Sequence, residues 1–318
     1  MKLRASALLL VLALAAAGCF GGNSTSSGGE GPLEGAEITI GSKDFDEQLV
    51  LGHMSRILLE ENGAAVTDRI NLGGTDATRS ALTSGEIDHY WEYTGTAWIS
   101  FYEEDDPIDD RQEQFDAVAE RDLEENDLVW VAPSQFNNTY ALAYASDAGD
   151  ELGNPESLAD LGPIIEETPE LATLCVETEF PARNDGLPGM EAAYGYEFPE
   201  DNVTVLDTGV VYESTAAQDP CYFGEVFTTD GRIAELDLVV LEDPEQFFPL
   251  YNASPVFRSE VYDEYGDAID EIFTPVAEAL DNDTMASLNA RVSGEEAADP
   301  ADVAREYLEE EGFISADE

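Results

Sequence analysis

Segments with strand character alternate with helical segments along most of the chain, and this alternation limits the fold more than any other feature. The helical segments repeat apolar residues every three or four positions, and the runs between them are short and apolar. The predicted strands are Glu37–Ile40, Thr67–Leu72, Ile87–Tyr93, Leu128–Val131, Tyr140–Tyr144, Leu174–Val176, Val203–Leu206, Gly224–Thr228 and Leu236–Leu241. The predicted helices are Asp44–Leu59, Thr75–Thr83, Gln112–Glu125, Ser157–Leu161, Pro188–Tyr194, Val261–Leu280, Thr284–Val292 and Pro300–Glu311. Such alternation predicts doubly wound α/β architecture.

The chain is long enough for two domains, because 318 residues exceed the usual size of one. We expect the chain to cross into a second domain within Phe136–Ala143 and to return near Phe247–Phe257. The predicted boundaries are residues 37–138 plus 249–318 for the first lobe and 139–248 for the second.

The charge of the chain is strongly acidic, with 70 acidic residues against 13 basic ones and a formal net charge of -57. Nucleic acid is excluded as a partner, because phosphate binding needs a basic surface. A disordered acidic chain would be poor in apolar residues, whereas this one has 43% hydrophobic and 9% aromatic residues. We therefore expect a folded, halophilic protein whose acidic surface is screened by concentrated salt.

The N-terminus has the pattern of an export signal. Lys2 and Arg4 precede an apolar stretch from Ala5 to Ala17. Ala16-Ala17-Gly18-Cys19 then resembles a lipobox, although Ala16 stands where Leu is usual. We expect residues 1–18 to be a signal peptide, Cys19 to carry lipid, and residues 19–36 to form the anchor and a flexible linker. The alternative is an uncleaved membrane anchor.

Two further cysteines, Cys175 and Cys221, lie in the region predicted as the second lobe. In an exported protein such a pair predicts a disulfide. Two free buried thiols are the alternative.

Lys43 lies just before the first predicted helix, where backbone amides and the helix dipole favour a bound anion. Asp44 and Glu47 have the spacing of a capping box at the start of this helix. An ordinary surface lysine is the alternative.

The stretch Asp88-His-Tyr-Trp-Glu-Tyr-Thr-Gly-Thr96 places aromatic residues before a turn of small residues. Tyr93 offers a ring face and Thr96 a hydroxyl, a combination that suits a small amphipathic ligand. The alternative is the edge of a core.

The sequence shows no catalytic or cofactor motif. His53 and His89 have no cysteine or histidine at zinc-binding spacing and are expected to be packing or surface residues. Neither a GxGxxG nor a Walker-type loop is present, so a nucleotide site has no support. We expect no enzyme activity, no metal and no cofactor.

Five stretches together resemble the ProX-type, OpuAC-like glycine betaine and osmoprotectant-binding proteins of ABC importers. They are Gly41-Ser-Lys-Asp-Phe45, Asp88–Thr96, Asn138-Thr-Tyr-Ala141, Phe227-Thr-Thr-Asp-Gly-Arg-Ile233 and Phe247–Val256, and the resemblance runs from about Ile38 to Leu308. It implies a two-lobed clamshell of the type II periplasmic-binding-protein class, with the ligand in the cleft.

The resemblance also implies a binding site. Its members are four rings that cage a quaternary ammonium, Tyr93, Tyr140, Phe227 and Tyr251, and three residues that hold a carboxylate, Lys43, Thr96 and Arg183. Phe227 stands where some relatives have Tyr, which keeps the π face and loses a hydroxyl. Two buried cations would be costly without an anion, so their presence favours a carboxylated betaine over choline.

The implied function is that of a lipid-anchored, extracytoplasmic solute-binding protein. It would act as a monomer, bind glycine betaine or proline betaine, and deliver the solute to an ABC permease and its ATPase. The alternatives are a choline- or carnitine-binding protein, a sensor unconnected to import, and an exported enzyme acting on a small cation.

Overall fold

The computed structural model describes residues 30–104, 107–294 and 296–316. The expected signal peptide, the lipid site at Cys19 and most of the expected linker lie outside these ranges. Within them, no helix is both long and apolar enough to cross a membrane.

The first sheet is built from the two ends of the described chain. Its elements are β1 (Glu37–Gly41), α1 (Asp46–Glu61), β2 (Ala65–Arg69), α2 (Thr75–Ser84), β3 (His89–Tyr93), α3 (Thr94–Thr96), a π-helical turn (Ala97–Phe101), α4 (Arg111–Asn126), β4 (Leu128–Trp130), β10 (Ala253–Arg258), α10 (Ser259–Ala279), α11 (Asn282–Ser293) and α12 (Pro300–Glu310). The strand order is β2-β1-β3-β10-β4. β1 is parallel to β2 and β3, and β10 is antiparallel to β3 and β4. We call this part the first lobe.

The second sheet is built from the middle of the chain. Its elements are β5 (Tyr140–Ala145), α5 (Gly149–Leu152), α6 (Leu161–Glu167), β6 (Leu174–Val176), α7 (Leu187–Tyr194), β7 (Val203–Val205), α8 (Thr208–Ala217), β8 (Phe223–Phe227), α9 (Arg232–Glu235) and β9 (Leu238–Val240), with 3-10 turns at Ser146–Ala148, Leu158–Asp160, Phe180–Ala182 and Glu200–Asn202. The strand order is β7-β6-β8-β5-β9. β6 is parallel to β7 and β8, and β5 is antiparallel to β8 and β9. We call this part the second lobe.

Residues 131–139 and 241–252 connect the two sheets. The chain therefore crosses from the first lobe to the second and returns, which is the two-lobed α/β arrangement that the sequence predicts. The strand predicted at Leu174–Val176 is found with the same bounds, and most other predicted elements differ at their ends by one to three residues. The short helix predicted at Ser157–Leu161 is instead a 3-10 turn, Leu158–Asp160, followed by α6.

Several elements were not predicted, and for two of them, helix α8 and strand β10, the sequence gives the physical reason. Helix α8 contains Gly209 and the β-branched pair Val210 and Val211, which have low helix propensity, yet it packs against β8. Strand β10 contains Pro255, which argues against a strand between two neighbours. Its carbonyl nevertheless accepts a hydrogen bond from Val131 at 3.0 Å, so the proline is accommodated.

The predicted capping box at the start of α1 is wrong. The helix begins at Asp46, its N-cap is Phe45, and that cap makes no side-chain hydrogen bond. Asp44 lies outside the helix, and Glu47 turns inward, where it is 3% exposed.

The two histidines differ in surroundings. His89 is fully buried, and burial lowers its pKa to about 3, so the ring is neutral. Its Nδ1 lies 3.0 Å from the Val256 carbonyl oxygen and its Nε2 lies 2.8 Å from the Ser55 hydroxyl. His89 also stacks on Phe257 with 4.0 Å between ring centroids. It is a core histidine, whereas His53 on α1 is half-buried.

Cys175 and Cys221 are joined by a disulfide with 5.6 Å between their Cα atoms. Both are fully buried, and the bond ties β6 to the segment that leads into β8.

Candidate ligand-binding site

A cavity of about 660 Å³ lies between the two lobes. All seven residues predicted to bind a ligand line it: Lys43, Tyr93, Thr96, Tyr140, Arg183, Phe227 and Tyr251. Residues that are far apart in sequence and belong to both lobes therefore meet at one place.

Strand ends position the four predicted rings. Tyr93 is the last residue of β3, and Tyr251 precedes β10, its antiparallel neighbour. Tyr140 begins β5 and pairs in register with Phe227, which ends β8. Gly95 allows this approach, since a Cβ there would lie 2.6 Å from the Leu250 carbonyl oxygen.

The rings form a continuous aromatic wall, to which Phe45 contributes a fifth ring that the sequence analysis did not assign to the site. Phe45 stacks on Tyr93 at 6.1 Å and on Phe227 at 5.5 Å, measured between ring centroids. Tyr140 continues the wall, with its centroid 5.3 Å from that of Phe227 and 5.4 Å from that of Tyr251. We call Phe45, Tyr93, Tyr140, Phe227 and Tyr251 the aromatic wall.

Lys43 is buried at this wall, with 3% of its surface exposed. Its Nζ donates to Glu92 Oε1 at 2.7 Å and to Thr75 Oγ1 at 3.1 Å, and it lies 5.1 Å from the Tyr93 ring centroid. Lys43 is therefore neither an ordinary surface lysine nor an unpaired cation.

Arg183 also has a carboxylate of its own. Its Nε and Nη2 donate to the two oxygens of Asp185 at 2.8 and 2.6 Å, and its guanidinium carbon lies 5.6 Å from the Tyr140 ring centroid. The Tyr251 hydroxyl donates at 2.7 Å to Asp185 Oδ2, the same oxygen that Arg183 Nη2 contacts.

The Lys43–Glu92 and Arg183–Asp185 ion pairs weaken the argument that two buried cations favour a carboxylated ligand. We expected Lys43 and Arg183 to need the carboxylate of a ligand, because no buried anion had been assigned to them. Each already has an internal counter-ion, so the presence of two cations does not by itself select a carboxylated ligand. The choice depends on which N–H donors remain free.

The cavity lining as a whole is acidic. It contains six carboxylates, Asp44, Asp46, Asp76, Glu177, Glu179 and Asp207, against three basic side chains, Lys43, Arg183 and Arg232. An acidic cleft with low-dielectric walls attracts positively charged solutes.

Two carboxyl groups in the second lobe lie close together. Glu225 Oε2 accepts a hydrogen bond from the Glu177 backbone amide at 3.1 Å, and Glu225 Oε1 is buried with no hydrogen-bond partner among the described residues. Burial raises the pKa of Glu225 well above its ordinary value, and the neighbouring Glu177 raises it further. Burial also raises the pKa of Glu177. The pair therefore holds protons at higher pH than exposed glutamates do.

Glu47 joins elements of both lobes behind the aromatic wall. Its Oε1 accepts from the Tyr93 hydroxyl at 2.7 Å and from Asn138 at 2.9 Å. Its Oε2 accepts from Thr229 at 2.6 Å and from Asn289 at 2.9 Å. Burial raises the pKa of Glu47 above its ordinary value, although the four hydrogen bonds act in the opposite direction. One carboxyl group thus connects α1, β3, the first connecting segment, the end of β8 and α11.

Arg232, like Phe45 and Glu47, was missed in the sequence analysis. It lies in the Phe227–Ile233 stretch, pairs with Asp230 in the second lobe and reaches Asp46 in the first lobe at 3.3 Å. In the sequence, Phe45 fits an apolar position of the first helix and Glu47 fits a capping position. Neither residue therefore gave a separate signal that it belongs to the site.

Two α/β lobes joined by two connecting segments, with an aromatic and charged cavity between them, define a solute-binding protein of the two-lobed class. The chain belongs to the OpuAC family, the substrate binding domain of ABC-type glycine betaine transport systems, which its residues 36–310 match. It is therefore a binding protein and not an enzyme. The family and the type II fold predicted from the sequence are both confirmed.

Named relatives agree with this membership. The chain is 36% identical to the glycine-betaine-binding protein of Pseudomonas aeruginosa over 312 residues, which cover 96% of each protein. The solved structure of apo YehZ from Escherichia coli has a TM-score of 0.64 and 34% identity, and covers 87% of this chain and 99% of that one. A crystal structure described as a glycine betaine/carnitine/choline ABC transporter has a TM-score of 0.69 and 26% identity, and covers 87% and 98%.

Proposed function

We propose that the protein is an extracytoplasmic solute-binding lipoprotein that binds glycine betaine or proline betaine and delivers it to an ABC permease for osmoprotection. The observation that carries this proposal is the aromatic wall, five rings from both lobes facing one acidic cavity.

The wall suits the head of such a solute. A trimethylammonium group has no N–H donor, so it is recognised by shape and by the attraction between its charge and aromatic faces. Tyr93 and Tyr251 have their hydroxyls directed to Glu47 and Asp185, and these bonds hold the rings in place. The acidic lining adds a favourable potential for the same positive group.

The tail of the solute is assigned to Lys43, Thr96 and Arg183. An ammonium has three N–H donors, and Lys43 uses two of them on Glu92 and Thr75. Arg183 binds Asp185 through Nε and Nη2, while its Nη1 makes only a loose contact of 3.5 Å, with Glu179, within the described part of the chain. The third Lys43 donor and Arg183 Nη1 are thus the strongest donors for a carboxylate.

The size of the interaction is reasonable. A small ligand gains at most about 1.5 kcal/mol per heavy atom, or roughly 12 kcal/mol for glycine betaine. Micromolar affinity needs about 8 kcal/mol.

Calorimetric titration in molar salt tests the proposal, with glycine betaine, proline betaine, carnitine, choline and proline. We expect the two betaines to bind most tightly and proline, which lacks a quaternary ammonium, to bind weakly. Comparable affinity for proline, or no affinity for any quaternary ammonium compound, would contradict the proposal.

The proposed anchor needs a separate experiment, because Cys19 lies outside the described residues. We expect a Cys19→Ser variant to appear in the medium, whereas the unmodified protein stays with the membrane as a monomer. Equal membrane association of the two proteins would contradict lipidation.

A further inference from the structure

Glu179 reaches across the cleft from the second lobe to the first. Its Oε1 accepts a hydrogen bond from the Thr75 backbone amide at 2.7 Å, at the N-terminus of α2. Gly74 makes this approach possible, because a Cβ at that position would lie 2.3 Å from the same oxygen. The Thr75 hydroxyl also accepts a hydrogen bond from Lys43, one of the two basic residues of the site. Glu179 and Lys43 therefore share Thr75 as a partner.

The Glu179 side chain also faces Arg183, the other basic residue of the site. Glu179 Oε2 lies 3.5 Å from Arg183 Nη1, the guanidinium nitrogen that Asp185 leaves free. Asp185 is buried, whereas the side chain of Glu179 is 32% exposed and belongs to the cavity lining. Glu179 is thus the protein's own carboxylate at the position where Arg183 would receive the carboxylate of a solute.

We propose that Glu179 is a specificity-determining residue that disfavours solutes with a carboxylate tail relative to solutes with a neutral tail. The inference rests on the proposed function, since it takes the cavity to be the solute site. A carboxylate bound at Arg183 either lies beside the negative charge of Glu179 or displaces it, and both cost binding free energy. The hydroxyl tail of choline does not meet this cost.

Glu179 has a second effect that must be separated from the first. Its hydrogen bond to Thr75 holds the two lobes together across the cleft, and this contribution is common to every ligand that binds between them. The ratio of the affinities for glycine betaine and choline cancels this common effect, because both solutes carry the same trimethylammonium head. The ratio therefore reports the charge of Glu179 alone.

The test is to measure both affinities by calorimetry in molar salt for the unmodified protein, Glu179→Gln and Glu179→Ala. Glutamine keeps an acceptor for Thr75, whereas alanine removes it. We expect the ratio of betaine to choline affinity to rise about fivefold in both variants, the size of a screened like-charge contact. Choline binding should change little in Glu179→Gln and weaken in Glu179→Ala.

Glu167→Gln is the matched control, because Glu167 is an exposed glutamate at the end of α6, in the same lobe but outside the cavity lining. We expect it to leave the ratio unchanged. An unchanged ratio in both Glu179 variants, or an equal rise in Glu167→Gln, would overturn the inference while leaving the proposed function intact. Absence of binding by the unmodified protein to either solute would instead remove the proposed function, and the inference with it.

Discussion

The Phe45 ring stacks on the Phe227 ring, with 5.5 Å between their centroids and 21° between their planes. Phe45 is the N-cap of α1 in the first lobe, and Phe227 ends β8 in the second. The aromatic wall is therefore assembled only when the two lobes are together, which connects closure of the cleft to the formation of the ammonium site.

Phe45→Leu tests the fifth ring of the wall. Leucine keeps apolar volume and loses the π face, so binding of glycine betaine and of choline should weaken by about 1–2 kcal/mol each, the size of a desolvated cation–π contact. Calorimetry in molar salt measures this, and Phe45→Tyr, which keeps the ring, is the control. Equal affinities for Phe45→Leu and the unmodified protein would exclude Phe45 from the site.

Glu47→Gln tests the connection behind the wall. An amide has one acceptor oxygen, so its nitrogen would face donors such as the Asn289 amide, and we expect a loss of roughly 2 kcal/mol in the free energy of unfolding. Denaturant unfolding in molar salt gives the value. Glu61→Gln is the control, since Glu61 lies exposed at the end of the same helix and its 3.6 Å ion pair with Arg305 should contribute less than about 1 kcal/mol. Equal losses in the two variants would contradict the role of Glu47.

Glu225→Gln tests the buried carboxyl pair through pH. The pKa of Glu225 is raised in the folded protein, so on increasing pH the unfolded chain loses its proton first, near the ordinary value of 4.5. The contribution of this group to stability is therefore full in acid and is lost as pH rises above that value. Glutamine does not titrate.

The melting temperature of Glu225→Gln relative to the unmodified protein should accordingly increase between pH 4.5 and neutral pH. Scanning calorimetry at constant molar salt measures the difference. A difference that is constant over this range would show that Glu225 has the same pKa in both states.

The acidic surface leads to a prediction about salt. With a formal net charge of -57, self-repulsion should destabilise the folded chain in dilute buffer, whereas molar salt shortens the Debye length to about 3 Å. We expect a cooperative melt in molar NaCl and loss of structure after dialysis into millimolar NaCl, followed by circular dichroism. A melting temperature that is the same in both buffers would contradict halophilic behaviour.

The sequence was sufficient for the two lobes and for seven residues of the cavity lining, for two different reasons. Alternation of strands and helices follows from local patterns, and the five family stretches lie at strand ends and loops that meet in the cleft. The ion-pair partners of the charged side chains could not be predicted in this way, because they depend on the tertiary fold. Lys43 and Glu92 are brought together by adjacent strands, and Arg183 turns onto Asp185, two residues away, within a loop that no periodicity describes.

Helix α8 and strand β10 show that tertiary packing also decides some of the secondary structure. Packing between neighbours decides both elements against the preferences of Val210, Val211 and Pro255, and a sequence pattern cannot report those neighbours. Phe45 is a further example. An aromatic residue at the start of a helix gives the same sequence pattern whether its ring faces the core or a cavity.

The most direct test of the account replaces the charged nitrogen of the solute by carbon. The compound 3,3-dimethylbutanoate has the shape of glycine betaine, and 3,3-dimethylbutan-1-ol has the shape of choline, but neither carries the positive charge. If the aromatic wall and the acidic lining recognise that charge, each isostere should bind at least about thirtyfold more weakly than its parent in molar salt, which corresponds to about 2 kcal/mol. Affinities of the isosteres equal to those of their parents would contradict the account, because the cavity would then select shape alone.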